Sequence, residues 1–161
     1  VYDDKGRHVQ LANSGIKLER NTYEAADAMF AAAELDGVTG FILTSGYRDS
    51  VRQAELYEEG VAQGKDTVAK PGQSEHETGL AFDVTAKHIL GFDTTPQFRW
   101  LEQHAWEFGF ILRYPEDKRV VTGVPYEPWH YRYVGREAAQ VIYELGLTLE
   151  EYLQGGLAAA S

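Results

Sequence analysis

The 161 residues carry 15 Lys and Arg against 25 Asp and Glu, a formal net charge of -10, and 43% are hydrophobic. That length and composition fit one folded domain and argue against a disordered chain, while the acidic balance with no basic cluster argues against a nucleic-acid or anionic-membrane partner. With no cysteine, disulfides and thiolate ligands are excluded, so any metal site must be built from His, Asp, Glu or water.

No apolar run approaches the roughly 20 residues that span a bilayer, and the opening VYDDKGRHVQ lacks the features of a signal peptide. The chain starts on Val1 rather than Met, consistent with an anchor or leader trimmed from in front of it. Residues 1–20 read as an N-terminal extension. The stretch NTYEAADAMFAAAELDG then predicts a helix, capped by Asn21 or Thr22, filled by alanines and ended at Gly37. GFILTS predicts a short strand, followed at once by GYRDS. Ser50 and Gln53 have the spacing of a capping box for a second helix that runs to Gly64.

Residues 65–73 form a polar loop with Pro71 and Gly72, leading into SEHETGLAFD. In LAFDV, side-chain alternation puts Leu80, Phe82 and Val84 on one strand face and Ala81 and Asp83 on the other. Thr95 and Pro96 open a helix stopped by Gly109. FILRY and WHYRYV are further strands, separated by a turn-rich segment at 115–125. A helix at 136–145 and a short one with a Thr148 and Glu151 capping box close the domain, with 155–161 as a frayed tail. Strands that mostly lack crossover helices predict an α+β fold, a small antiparallel sheet flanked by helices.

Two local groups hold the chemistry: His76 with Asp83, and Glu127 with His130. Two imidazoles and a carboxylate are a usual catalytic zinc set, with water or substrate in the fourth position. Coordination also accounts for an ionisable Asp83 on a half-buried strand, since bonding to a dication offsets its lost hydration. Glu127, three residues before His130 and across a turn expected at Pro128, is placed as general base. Arg48, just after a strand, suits a carboxylate or a developing oxyanion, and Ser74 and Gln53 add hydrogen bonds to the same ligand. Trp129, Tyr126 and Tyr131 are candidate cleft walls.

Each residue also has a plainer reading. Gln53 as a helix cap competes with Gln53 as a substrate contact, Arg48 can pair with Asp49 on the surface, Trp129 can be a core aromatic and Glu127 a turn residue. His8, His88 and His104 read as exposed side chains without a metal role.

Taken together, SGYRD at 45–49, SEHETGLAFD at 74–83 and EPWHYRYVG at 127–135 resemble, in order and spacing, the signature blocks of the VanY-like zinc D-alanyl-D-alanine carboxypeptidase family. The resemblance spans about residues 39–135. It implies His76, Asp83 and His130 as zinc ligands, Glu127 as general base, Arg48 as the group stabilising the substrate carbonyl, and Ser74 and Gln53 at positions that hold the end of the peptide.

The implied activity is hydrolysis of the terminal D-Ala-D-Ala bond of a peptidoglycan stem peptide, by a soluble, monomeric zinc domain acting outside the cytoplasm. Three alternatives stand beside it. An L,D-carboxypeptidase would carry the same metal blocks, and the loops at 65–73 and 115–126 would decide between the two. A silent peptidoglycan-binding module would keep the cleft without Glu127 and Arg48. A structural zinc domain would need a fourth protein ligand that the sequence does not offer.

Overall fold

The alanine-rich stretch after Glu19 folds as helix α1, Arg20–Leu35, in the computed structural model, which describes residues 8–65 and 67–158. Its cap is Glu19, not Asn21 or Thr22: the Glu19 carboxylate accepts a hydrogen bond from the Thr22 amide at 3.1 Å. A carboxylate there satisfies an orphan amide and faces the positive end of the helix dipole, while Thr22 itself is buried. Ala26, Met29, Phe30 and Ala33 form the buried face of α1.

That face lies on a five-stranded sheet of order β1-β2-β3-β5-β4. Its members are β1 (Gln10–Leu11), β2 (Ile42–Ser45), β3 (Ala81–Thr85), β4 (Phe110–Tyr114) and β5 (Glu127–Tyr133). Only β1 and β2 run parallel; the other neighbours are antiparallel, as the α+β expectation required. Phe82 and Val84 point into the core and Asp83 to the opposite side, the alternation read from LAFDV. The core centres on aromatic pairs, with ring centroids 5.0 Å apart for Phe30 and Phe41 and 5.2 Å for Phe82 and Phe110. Such pairs contribute roughly 0.5–1.5 kcal/mol beyond their area.

Residues 8–19 are part of this domain and not an extension beside it, because their apolar side chains have a core to enter. Val9, Ile16 and Leu18 are buried, and the amides of Gln10 and Ala12 donate to Phe41 and Leu43. The close approach of Lys17 explains Gly46: a Cβ there would sit 2.3 Å from the Lys17 carbonyl oxygen. Residues 1–7 and 159–161 of the expected extension and tail lie outside the described residues.

Helix α2, Ser50–Ala62, is capped by Asp49, whose carboxylate accepts from the Arg52 amide at 2.8 Å. The Ser50 and Gln53 capping box is therefore not formed. Asp49 supplies a better acceptor one residue earlier, and Gln53 turns inward, 1% exposed. Helix α3, Pro96–His104, has the expected Thr95 cap and ends through a 3₁₀ turn at Gly109. A 3₁₀ turn and the single-turn α4, Arg119–Thr122, order part of the segment expected as turns.

Helices α5, Arg136–Leu145, and α6, Leu149–Ala158, close the chain. The second capping box is present: the Thr148 amide donates to Glu151 at 2.8 Å and the Glu151 amide to the Thr148 hydroxyl at 3.1 Å. So started, α6 carries helical backbone past Gly155, where a frayed tail was expected. Among the described residues, no helix is long and apolar enough to cross a membrane.

Candidate metal and catalytic site

Antiparallel pairing sets the site. Asp83 on β3 is the direct cross-strand partner of His130 on β5, and a 3₁₀ turn, Glu75–Thr78, brings His76 in from just before β3. One ligand atom from each of His76, Asp83 and His130 lies within 4.8 Å of the others.

Both imidazoles are held by their far nitrogens. His76 Nδ1 lies 2.8 Å from the Gly46 carbonyl, which can only accept, so Nδ1 carries the hydrogen and Nε2 faces Asp83 at 3.4 Å. His130 Nε2 lies 3.2 Å from the Glu75 carboxylate, and its Nδ1 lies 2.9 Å from Asp83 Oδ1. This is how metal-binding histidines are oriented, with the second nitrogen donating to a carbonyl or carboxylate. Two imidazole nitrogens and one carboxylate, all buried or half-buried, fit a zinc ion with room for a further ligand.

Charge in the cluster is strongly coupled. Burial pushes the Asp83 carboxyl up, but hydrogen bonds from both histidines outweigh it and hold the group well below the usual range. Burial depresses His130, yet its bonds to Asp83 and Glu75 win and raise it to about 9. A metal would take the place of that proton on Nδ1.

Glu127 reaches the same cleft through an irregular strand. Tyr131 pairs with Leu112 and Glu127 with Tyr114, so four steps along β5 match two along β4. The bulge breaks strict alternation and lets Glu127 and His130, three residues apart, share one side. Glu127 and Pro128 thus belong to β5 and not to a turn. The Glu127 carboxylate accepts no hydrogen bond from a described residue, and burial raises its pKa.

Arg48 is seated by the loop after β2. Its amide donates to the His76 carbonyl at 3.2 Å and its guanidinium to Gln53 Oε1 at 2.9 Å, with Asp83 Oδ2 at 3.9 Å. It is not paired with Asp49, which caps α2. Buried Arg48 Nε has no hydrogen-bond partner among the described residues. Gln53 also donates to the Ala69 carbonyl at 2.7 Å, so its amide orients Arg48 and ties down the loop before the metal cluster.

The cleft encloses about 220 Å³, and Ser74, Gln53 and Trp129 line it with the ligands. Ser74 starts the 3₁₀ turn without using its hydroxyl as a cap. Trp129 is 41% exposed and walls both this cleft and a neighbouring one that contains Tyr126. Tyr131 is not a wall: it alternates to the opposite face and is fully buried against Phe82. A larger apolar cavity behind the sheet, between Trp106 and Ile142, contains none of the metal cluster. His8 and His104 pair with Glu34 and Glu107 away from the site, and His88 is exposed.

Sequence reasoning missed Glu75. Its Oε1 accepts from Arg113 Nε at 2.7 Å and forms an ion pair with Arg132 at 2.9 Å, while Oε2 faces His130. Burial raises this carboxyl, but His130 and the two guanidiniums overcome it and lower it to about 2. The available signal was an acidic residue directly beside His76; its basic partners are 38 and 57 positions away, beyond local pattern.

The VanY D-alanyl-D-alanine carboxypeptidase family profile matches residues 15–136. A D-alanyl-D-alanine carboxypeptidase of Enterococcus faecalis is 44% identical over 160 residues, covering 89% of this chain and 58% of its own. The chain spans about half the length of the curated relatives it matches. Among solved structures, a variant of the vancomycin resistance D,D-pentapeptidase VanY with Zn(II) aligns at TM-score 0.77 and 45% identity, covering 89% of this chain and 87% of that one. VanYB with D-Ala-D-Ala aligns at 0.79 and 45%, covering 90% and 86%. The LD-carboxypeptidase LdcB aligns at 0.82 and 37%, covering 91% and 74%.

Proposed function

The chain belongs to the VanY family of D-alanyl-D-alanine carboxypeptidases, and we propose that it is a zinc-dependent D,D-carboxypeptidase that releases D-alanine from peptidoglycan stem peptides outside the cytoplasm. One observation carries the reading: two imidazoles locked by Gly46 and Glu75 converge with Asp83 in the cleft that Glu127 lines, its carboxylate accepting no hydrogen bond from a described residue.

His76, Asp83 and His130 would hold a zinc ion, which would supply a Lewis acid able to lower the pKa of water toward neutrality and polarise the scissile carbonyl. Glu127 takes the proton of the attacking water and passes one to the leaving D-alanine amine as the C–N bond breaks. Its raised pKa suits both halves of that task. Arg48, oriented by Gln53, donates to the developing oxyanion. The Ser74 hydroxyl holds the terminal residue and Gln53 supports the same end of the cleft through Arg48, while Trp129 shields one side from water and Tyr126 lines the approach beyond it.

The L,D reading keeps specific support in the overlap with L,D-carboxypeptidases such as LdcB. Incubating the zinc-loaded protein with penta- and tetrapeptide stems and weighing the products separates the two. D-alanine lost from the pentapeptide is expected. Loss from the tetrapeptide alone would make it an L,D-enzyme, and no cleavage of either would leave a binding module.

A further inference from the structure

We propose that Glu150 on α6 and Arg113 on β4 are positioning residues for His130, acting through Glu75, so that the C-terminal helix helps set the metal site. The proposal rests on the metal reading above and goes beyond it, because Glu150 lies outside the residues that match the family profile.

A continuous path links the two ends. Glu150 receives both terminal nitrogens of Arg113, at 2.9 and 2.6 Å, a paired fork that fixes the guanidinium plane. Arg113 Nε then donates to Glu75 Oε1 at 2.7 Å, and Glu75 Oε2 meets His130 Nε2 at 3.2 Å. Arg113 also lies 4.8 Å from the centre of the Tyr114 ring, which stacks on the His130 imidazole at 5.2 Å. His130 is thus held through a carboxylate on one nitrogen and an aromatic face across its ring, with Arg113 behind both.

The path is well suited to transmit position. Arg113 is 9% exposed, so its contacts are little screened. Without Glu150, Arg113 would lose the partner that aims its Nε, and Glu75 would keep the ion pair with Arg132. Glu151, one residue on, instead pairs with Lys118 at 3.1 Å and closes the α6 cap, with no link to Glu75. Neighbouring acidic residues on one helix therefore have separable roles.

Zinc affinity of the full chain, measured by chelator competition, tests this alongside thermal unfolding of the metal-free protein. Substituting carboxylates one step from a metal ligand costs roughly 10–100-fold in affinity, which is expected for Glu75→Gln. Glu150→Gln, a step further out, should weaken zinc by roughly 3- to 10-fold on the same scale. Glu151→Gln should lower the unfolding midpoint and leave zinc affinity unchanged.

The double variant Glu75→Gln/Glu150→Gln should bind zinc no more weakly than Glu75→Gln alone, because both act on one path. Equal zinc affinity in Glu150→Gln and the unsubstituted chain, equal weakening by Glu150→Gln and Glu151→Gln, or additive losses in the double variant would overturn the proposal. Should Glu150→Gln fail to fold, Arg113→Lys, which keeps the charge and loses the fork, must show the weaker binding instead. Failure of the unsubstituted chain to bind zinc would remove the metal reading itself, whereas zinc binding without peptide hydrolysis would remove the enzyme reading and leave this one standing.

Discussion

Asp83 and His130 face each other directly across β3 and β5, with Asp83 Oδ1 2.9 Å from His130 Nδ1. Their backbones are joined by the sheet, so the two candidate ligands are set by strand register and not by a loop. Asp83→Asn keeps the shape but removes the charge that draws the dication and opposes two imidazoles. Zinc affinity should fall by more than about 10-fold, the lower end of what even an outer partner is worth, while the far-ultraviolet spectrum is retained. Unchanged zinc binding in this variant would remove Asp83 as a ligand.

Glu127→Gln separates binding from chemistry. The amide cannot take a proton, yet Glu127 is outside the three-residue metal cluster. Zinc should be retained and the release of D-alanine from a pentapeptide should drop by about 10²–10⁴-fold, the usual worth of a positioned base. Full activity would exclude Glu127 from the proton transfer.

Arg48→Lys keeps the charge and loses the fork that spans Gln53 and the cleft. A fall in kcat of roughly 10²–10³-fold with zinc affinity unchanged is expected for an oxyanion donor. An unaltered kcat with a raised KM would assign Arg48 to ground-state binding of the peptide.

Metal uptake should depend on pH in a defined direction. His130 has a folded value of about 9, above its ordinary 6.5, because Asp83 and Glu75 outweigh burial. The stability this proton gives the metal-free protein is complete below about 6.5 and lost as pH rises through about 9. The same proton competes for Nδ1, so zinc affinity should rise with pH up to about 9, with proton release near neutrality. Calorimetry of zinc binding in buffers of different ionisation enthalpy counts that proton; no release at pH 7 would contradict the assignment.

Tyr131 offers a test of packing alone. Its hydroxyl is buried without a hydrogen-bond partner among the described residues, which costs about 1–3 kcal/mol in desolvation. Tyr131→Phe keeps the stack on Phe82 and should be neutral or stabilising, with activity intact. A marked loss of stability would show that the hydroxyl has a partner in solution.

Much of the candidate site was legible because metal binding and proton transfer restrict residue type. A dication with three protein ligands needs groups such as His76, Asp83 and His130, and proton transfer needs a carboxylate such as Glu127, so these stand out before any contact is known. The caps show the limit of local pattern: Thr148 and Glu151 formed the expected box, whereas Asp49 displaced Ser50 and Gln53 because a burial site drew Gln53 away.

The linear order of residues determined the strand alternation of LAFDV and the Thr95 and Gly109 helix limits, and it marked out the candidate reactive groups, since each follows from neighbours a few positions apart. Only the folded chain decided that residues 8–19 brace the sheet, that the β5 bulge turns Glu127 toward His130 while Tyr131 goes to the core, and that Glu75, Arg113 and Glu150 meet. Those outcomes depend on register and on charge pairs between residues 37 and 38 positions apart, which no local periodicity encodes.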